Sequence, residues 1–228
     1  MRYLAIGDIH GCSRSFEALL DQVAPRPEDM IVTLGDYVNR GPNSAAVLDR
    51  LVRLNKTGRL IALRGNHEQM MIEARDGNDE KRGGFLSVGG DQTLASYAVL
   101  GDAGTFVDVP DAHWDFIENV CRDWYESDTH FFVHANAYPD FPLAEQPVYM
   151  LRWESFDDPP PHESGKAMVC GHTSQKSGRP RNIGHAVCID TYAHGGGWLT
   201  CLDISSGRIW QANERRETRM SWVDDYAK

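Results

Sequence analysis

The sequence predicts an α/β fold that opens as βαβαβ, and three observations carry that prediction. Short apolar runs alternate with segments of helical periodicity over the first 75 residues. Each of those early runs ends in a glycine or arginine-glycine step followed by polar, ligand-type side chains. After residue 128, five more apolar runs follow with little helical pattern between them.

The first strand is expected at "YLAI" (3–6) and the first helix at 13–22, where Phe16, Leu19, Leu20 and Val23 share a face and Ser13 is placed to cap. A second strand, "MIVTL" (30–34), leads to "NSAAVLDRLVRL", whose Val47, Leu48, Leu51 and Leu54 recur at helical spacing. "LIALR" (60–64) then meets a helix at "EQMMIEAR". Strand–helix alternation of this kind implies parallel strands joined by right-handed crossovers. A helical middle is expected at "DQTLASYAVL" (91–100) and "AHWDFIENVCRDWY" (112–125), with Trp114, Phe116 and Trp124 as core. Strands follow at "THFFVHA", "AMVCGH", "AVCID", "WLTCLDI" and "GRIWQA", the last two as an antiparallel hairpin turning at Ser205 and Ser206. "FDDPPPHESGK" (156–166) reads as a surface loop, and "GGG" (195–197) as a tight connection with Tyr192 and His194 at a possible site rim.

At 228 residues the chain suits a single domain, 1–228. Its 23 basic and 33 acidic residues give a net charge of −10, which disfavours nucleic acid and anionic membrane as partners. No apolar run approaches the ~20 residues of a membrane helix. Five cysteines without a CxxC pair, and an opening "MRYLAIGD" without a secretory apolar region, lead to the expectation of a cytoplasmic protein with reduced thiols. Cys12 is read as a small packing residue.

Chemistry collects past the strand ends. "GDIHG" (7–11), "GDYVNRG" (35–41) and "GNHE" (65–68) follow the first three strands, and His134 and His172 end two later ones. That edge of an α/β sheet is where ligands bind. Asp8 and His10, two apart in extended chain, project to the same side and can chelate one cation. Asp8, His10, Asp36, Asn66, His134 and His172 together supply enough donors for two metal ions if one carboxylate bridges, and Asp36 is the natural bridge. Hard oxygen and imidazole donors without thiolate favour Mn²⁺, with Fe or Zn²⁺ as alternatives.

These ordered motifs, with "GHT" and the closing "CIDTYAHGGGWLTCLDI", resemble the phosphoprotein phosphatase family. Those are metal-dependent serine/threonine phosphatases of the calcineurin-like metallophosphoesterase fold, and the likeness is greatest to the bacterial and bacteriophage lambda phosphatase-like branch. The resemblance implies a central β-sandwich of mixed sheets flanked by α-helices. It implies a first ion on Asp8, His10 and Asp36, and a second on Asp36, Asn66, His134 and His172. A hydroxide bridging the ions would attack the phosphoryl group directly. His67 would donate a proton to the leaving alkoxide, Arg40 would grip the phosphate, and Arg152 is the candidate for a second phosphate-binding arginine.

One residue departs from the family pattern. Most members carry an aspartate at the position of Asn39, where it bonds the proton-donating histidine. Asn39 can orient His67 through its carbonyl oxygen without supplying charge, unless Glu68 or another acid replaces it. The resemblance thus implies a phosphomonoesterase acting on phosphoproteins or phosphopeptides. Two alternatives stand beside it: a diadenosine tetraphosphate hydrolase, against which His10 and Glu68 count because those enzymes usually carry glutamine and aspartate there, and a noncatalytic scaffold of the same fold.

Overall fold

Side chains alternate in direction along every strand, and in this chain the alternation sorts apolar residues into three separate layers. The computed structural model describes residues 2–98 and 103–227. Strands β1 (Tyr3–Ile6), β2 (Met30–Thr33) and β3 (Leu60–Ala62) are parallel neighbours; α1 (Ser13–Val23) and α2 (Ser44–Asn55) connect them, and α3 (Asn66–Asp76) follows β3. Three short helices come next, α4 (Asp79–Phe85), α5 (Asp91–Ala95) and α6 (Asp111–Asp115). Then come β4 (Trp124–Glu126), β5 (His130–Val133), α7 (Val148–Trp153), β6 (Ala167–Cys170), β7 (Arg181–Asn182) and β8 (Ala186–Cys188). The described chain closes with β9 (Leu199–Asp203), β10 (Arg208–Ala212) and β11 (Thr218–Trp222). One mixed sheet has the order β11-β10-β9-β1-β2-β3 and the other β4-β5-β6-β8-β7.

Ala5, Val32, Ile61, Phe132, Val169, Val187, Leu202 and Ile209, drawn from both sheets, form the layer between them. Their strand neighbours point the other way. Leu4, Ile6, Ile31, Cys201 and Trp210 pack under α1 and α2, against Phe16, Leu19, Leu20, Val47, Leu48 and Leu51. Phe131, Val133, Met168, Cys170, Ala186 and Cys188 form the outer layer of the second sheet with Leu151 and Phe156. This is the expected sandwich of mixed sheets flanked by helices. A one-residue slip in any of these strands would exchange its layers.

Four expectations need correction. Ser13 is the first helical residue of α1 and caps nothing; Cys12 precedes it without a side-chain cap bond, and Glu214 Oε1 instead accepts from Ser15 N at 2.9 Å. The expected helix at 91–100 is regular only over Asp91–Ala95, and its Val99 and Leu100 lie outside the described residues. The expected helix at 112–125 stops short, because Trp124 begins β4 and pairs antiparallel with β5. Strands β7 and β11 were not expected; both are sheet edges, and β11 is largely exposed, so no alternation of buried apolar residues marks it. Trp114 and Phe116 are core, as is Cys12, and all five cysteines are buried free thiols. The β9–β10 hairpin and the irregular 156–166 segment are as expected. Among the described residues no helix is long and apolar enough to cross a membrane.

Candidate metal centre and active site

The loops leaving β1, β2, β3, β5 and β6 converge, and they do so on strained backbone. His10, Asp36, Asn39, Arg40 and His172 all have positive φ, between 44° and 69°. An L-residue pays roughly 1 kcal/mol or more for that conformation, and such strain gathers where side-chain aim is imposed by function. Close approach is imposed as well: a Cβ at Gly65 would lie 2.1 Å from Asp36 Oδ1, and one at Gly171 would lie 2.0 Å from Asp8 Oδ1.

Asp36 is the hub. Its carboxylate faces His10 Nε2 at 3.3 Å, His134 Nε2 at 3.4 Å and His67 Nε2 at 3.8 Å, and Oδ1 accepts from His67 N at 3.1 Å at the start of α3. Asn66 Oδ1 lies 3.1 Å from both His134 Nε2 and His172 Nδ1. Two groups of donors result, His10–Asp36–His67 and Asp36–His134–His172, each with ligand atoms within 4.8 Å of one another, and Asp36 belongs to both. Asp8 is buried beside them but belongs to neither, and its carboxylate accepts from His172 N at 3.0 Å.

The outer nitrogen of each imidazole fixes what the inner one offers. His10 Nδ1 donates to Val38 O at 2.8 Å, His134 Nδ1 to Leu34 O at 2.8 Å, and His172 Nε2 to Trp153 O at 3.1 Å. Burial pushes all three rings down, His134 to about 4 and His172 to about 3, so each is neutral and turns a bare lone pair inward. Burial pushes the carboxylates up, Asp36 to about 7 and Asp8 well above its usual range, the latter also repelled by Asp190 and Asp36. Lone pairs on imidazole and carboxylate therefore meet with no proton between them unless Asp36 is protonated. A divalent cation resolves this arrangement, and the hard-oxygen and imidazole donor set fits one.

Glu68 does not supply the charge missing at Asn39. It is fully buried and clamps the Asp36 turn: Oε1 accepts from Tyr37 N (2.7 Å) and Val38 N (3.2 Å), Oε2 from Asp36 N (2.8 Å) and Gly65 N (2.9 Å). Asn39 Nδ2 lies 2.9 Å from His67 Nδ1, and its Oδ1 accepts the Thr93 hydroxyl at 2.9 Å. Arg40 Nη2, 3.1 Å from His67 Nε2, can only donate. A neutral ring between two donors has no room for its own proton, so hydrogen-bond logic selects the amide turned over. Nδ1–H then donates to Oδ1, Nδ2 donates to Thr93 Oγ1, and the Thr93 hydroxyl can turn to Ser44 Oγ at 3.1 Å. As placed, the amide nitrogen faces the ring, so the oxygen-inward contact expected from sequence requires this turned-over amide.

Arg152 lies in the last turn of α7 and is buried, yet its guanidinium is engaged by Asp123 and donates to Gln69 Oε1 at 3.2 Å. It does not touch the six donors, although its charge helps depress His134. Two residues absent from the sequence-derived set belong to the site. Asp190, buried, faces Asp8 electrostatically and accepts from Ser174 Oγ at 2.5 Å and Tyr192 N at 3.0 Å. It ends "AVCID" in the same manner as the other motifs, a signal available in the sequence. Thr93, by contrast, reaches Asn39 across 54 positions and carries no local signature.

The calcineurin-like phosphoesterase sequence model matches residues 1–176. A symmetrical bis(5'-nucleosyl)-tetraphosphatase of Acidovorax sp. is 44% identical over 78 residues, 34% of this chain and 27% of that protein. Serine/threonine-protein phosphatase 1 of Salmonella typhimurium is 33% identical over 138 residues, 59% of this chain and 58% of that protein. The matches thus span about a quarter of the tetraphosphatase and somewhat over half of the phosphatase. Among solved structures, a putative diadenosine tetraphosphatase superposes with a TM-score of 0.66 at 20% identity, covering 97% of this chain and 94% of that one. A protein serine/threonine phosphatase of Saccharomyces cerevisiae gives 0.62 at 15%, covering 89% and 73%, a likeness of fold alone. With two mixed sheets, converging strand-end donors and a match over most of its length, the chain belongs to the calcineurin-like phosphoesterase family.

Proposed function

We propose that the protein is a metal-dependent phosphomonoesterase that hydrolyses phosphoserine or phosphothreonine in proteins and peptides. The observation that carries this reading is Asp36, shared by two donor groups and facing unprotonated imidazole nitrogens. Asp8, His10 and Asp36 would hold one divalent cation, and Asp36, Asn66, His134 and His172 the other, with Mn²⁺ preferred over Fe or Zn²⁺. Bound there, two such ions activate water at neutral pH and neutralise phosphoryl oxygens.

The chain's own residues do the rest. Arg40, at the mouth of the site, donates its planar fork to the phosphoryl oxygens. His67, beside Arg40 and Asp36, gives a proton to the departing alkoxide, a role worth about 10²- to 10⁴-fold. Asn39 holds the His67 ring, and Glu68 holds the turn that carries Asp36. Arg152 joins the phosphate grip only after releasing Asp123 and Gln69.

The second reading, cleavage of diadenosine tetraphosphate, is favoured by the similarity to symmetrical bis(5'-nucleosyl)-tetraphosphatases and to the putative diadenosine tetraphosphatase of the same fold. His10 and Glu68 favour the phosphatase. The test supplies Mn²⁺ to the full chain and compares phosphate released from a phosphothreonine peptide with ADP released from diadenosine tetraphosphate. Faster peptide turnover supports the first reading, and dominant ADP release replaces it with the second. A folded, metal-loaded chain that turns over neither is a scaffold.

A further inference from the structure

Arg40 is exposed at the site mouth, yet its guanidinium is held on two sides. Nη2 donates to His67 Nε2 at 3.1 Å and Nη1 to His194 Nε2 at 3.0 Å. His194 arrives from a turn between β8 and β9, 154 positions along the chain from Arg40. That turn is firmly built. Asp190 Oδ1 accepts from Tyr192 N at 3.0 Å, Gly195 N and Gly197 N both donate to Tyr192 O, at 3.1 and 2.9 Å, and Tyr192 itself has φ 67°. The His194 ring stands edge-on to the rings of His10, at 4.9 Å, and Tyr192, at 4.7 Å. Because a guanidinium only donates, His194 Nε2 must be the acceptor.

The contact with His67 has a consequence for the chemistry. While Arg40 donates to Nε2, that nitrogen can hold no proton for a leaving group, so this bond must open when a phosphoryl group arrives. The contact with His194 has no such conflict. We propose that His194 is a positioning residue that anchors one amino group of Arg40, so that the other passes from His67 to a phosphoryl oxygen without the side chain leaving the site. What Arg40 grips rests on the phosphomonoesterase reading; the anchoring itself does not. An arginine already held in one rotamer has little conformational entropy left to lose when phosphate binds, so the effect belongs in binding rather than in the chemical step.

The test uses the full chain with His194→Ala and His194→Gln, the latter retaining a side-chain acceptor. The first readout is the order of the Arg40 Nε–H group by ¹⁵N relaxation in cation-free protein. We expect order in the wild type, mobility in His194→Ala and restored order in His194→Gln. The second is inhibition by inorganic phosphate with Mn²⁺ present: His194→Ala weakens it by about tenfold and raises KM similarly, with kcat changed by less than about threefold. In an Arg40→Ala background, His194→Ala adds nothing to the loss. Equal Arg40 order in wild type and His194→Ala overturns the proposal, as does an undiminished effect of His194→Ala in the Arg40→Ala background. Absence of any phosphate-ester turnover in the wild type removes the phosphomonoesterase reading, and the Arg40 order measurement then decides the anchor alone.

Discussion

His10 presents Nε2 to Asp36 Oδ2 at 3.3 Å while its Nδ1–H is held by the Val38 carbonyl at 2.8 Å. Two lone pairs at that separation need a proton or a cation between them. Burial raises Asp36 from 3.8 to about 7, so in cation-free protein the proton is on Asp36 at mildly acidic pH. This protonated form adds stability that is complete below the unfolded value and disappears as pH rises through about 7. A divalent cation must displace that proton.

Mn²⁺ affinity should therefore climb by up to about tenfold per pH unit below about 7 and level off above it. The neutral histidines, already pushed down, add little to this slope above pH 6. Calorimetric titration at pH 6 and pH 8 checks it, with proton release on binding expected at pH 6. Equal affinities at the two pH values would contradict the assignment of Asp36.

Glu68→Gln should weaken the protein even without metal. The amide places two N–H donors against backbone amides that now find a carboxylate, which costs roughly 1–3 kcal/mol of stability. Mn²⁺ affinity should fall by about 10- to 100-fold because the Asp36 turn loses its clamp. Urea unfolding of cation-free protein and Mn²⁺ titration are the two measurements. Unchanged values in both would show that the turn holds itself.

Asn39→Asp should move the alkaline limb of kcat to higher pH. Burial, Arg40 and neighbouring imidazoles push His67 down to about 2 in the cation-free chain. A carboxylate in place of the amide, 2.9 Å from Nδ1, favours the imidazolium and raises its pKa by about one to three units. A proton donor works only below its pKa, so a higher value extends activity upward in pH. Coincident kcat–pH profiles for the two proteins would remove this role for Asn39.

Much of the site was legible because its residues follow strand ends in short motifs. "GDIHG", "GDYVNRG" and "GNHE" lie past β1, β2 and β3, and the structure brings the buried Asp8, His10, Asp36, Asn66 and His134 together with a half-buried His172. The sandwich was legible less directly: β1 to β3 announce themselves by apolar runs, but β4 is two half-buried residues and an exposed one in a stretch of helical periodicity. What sequence could not give are contacts that depend on backbone at positive φ and on distant partners. Glu68 faces backbone amides of the Asp36 turn, Thr93 holds Asn39 from a helix 54 positions away, and His194 meets Arg40 from the turn that joins the two sheets. Arg152 shows the converse, since its position suited a phosphate grip and its guanidinium is bound to Asp123.

The most direct test of the shared Asp36 is the number of metal ions each chain holds. Elemental analysis of Mn²⁺-equilibrated, desalted protein should give close to two ions per chain for the wild type and less than one for Asp36→Asn, both remaining folded by circular dichroism. A wild type without bound metal, or an Asp36→Asn variant that retains as much as the wild type, would contradict the account.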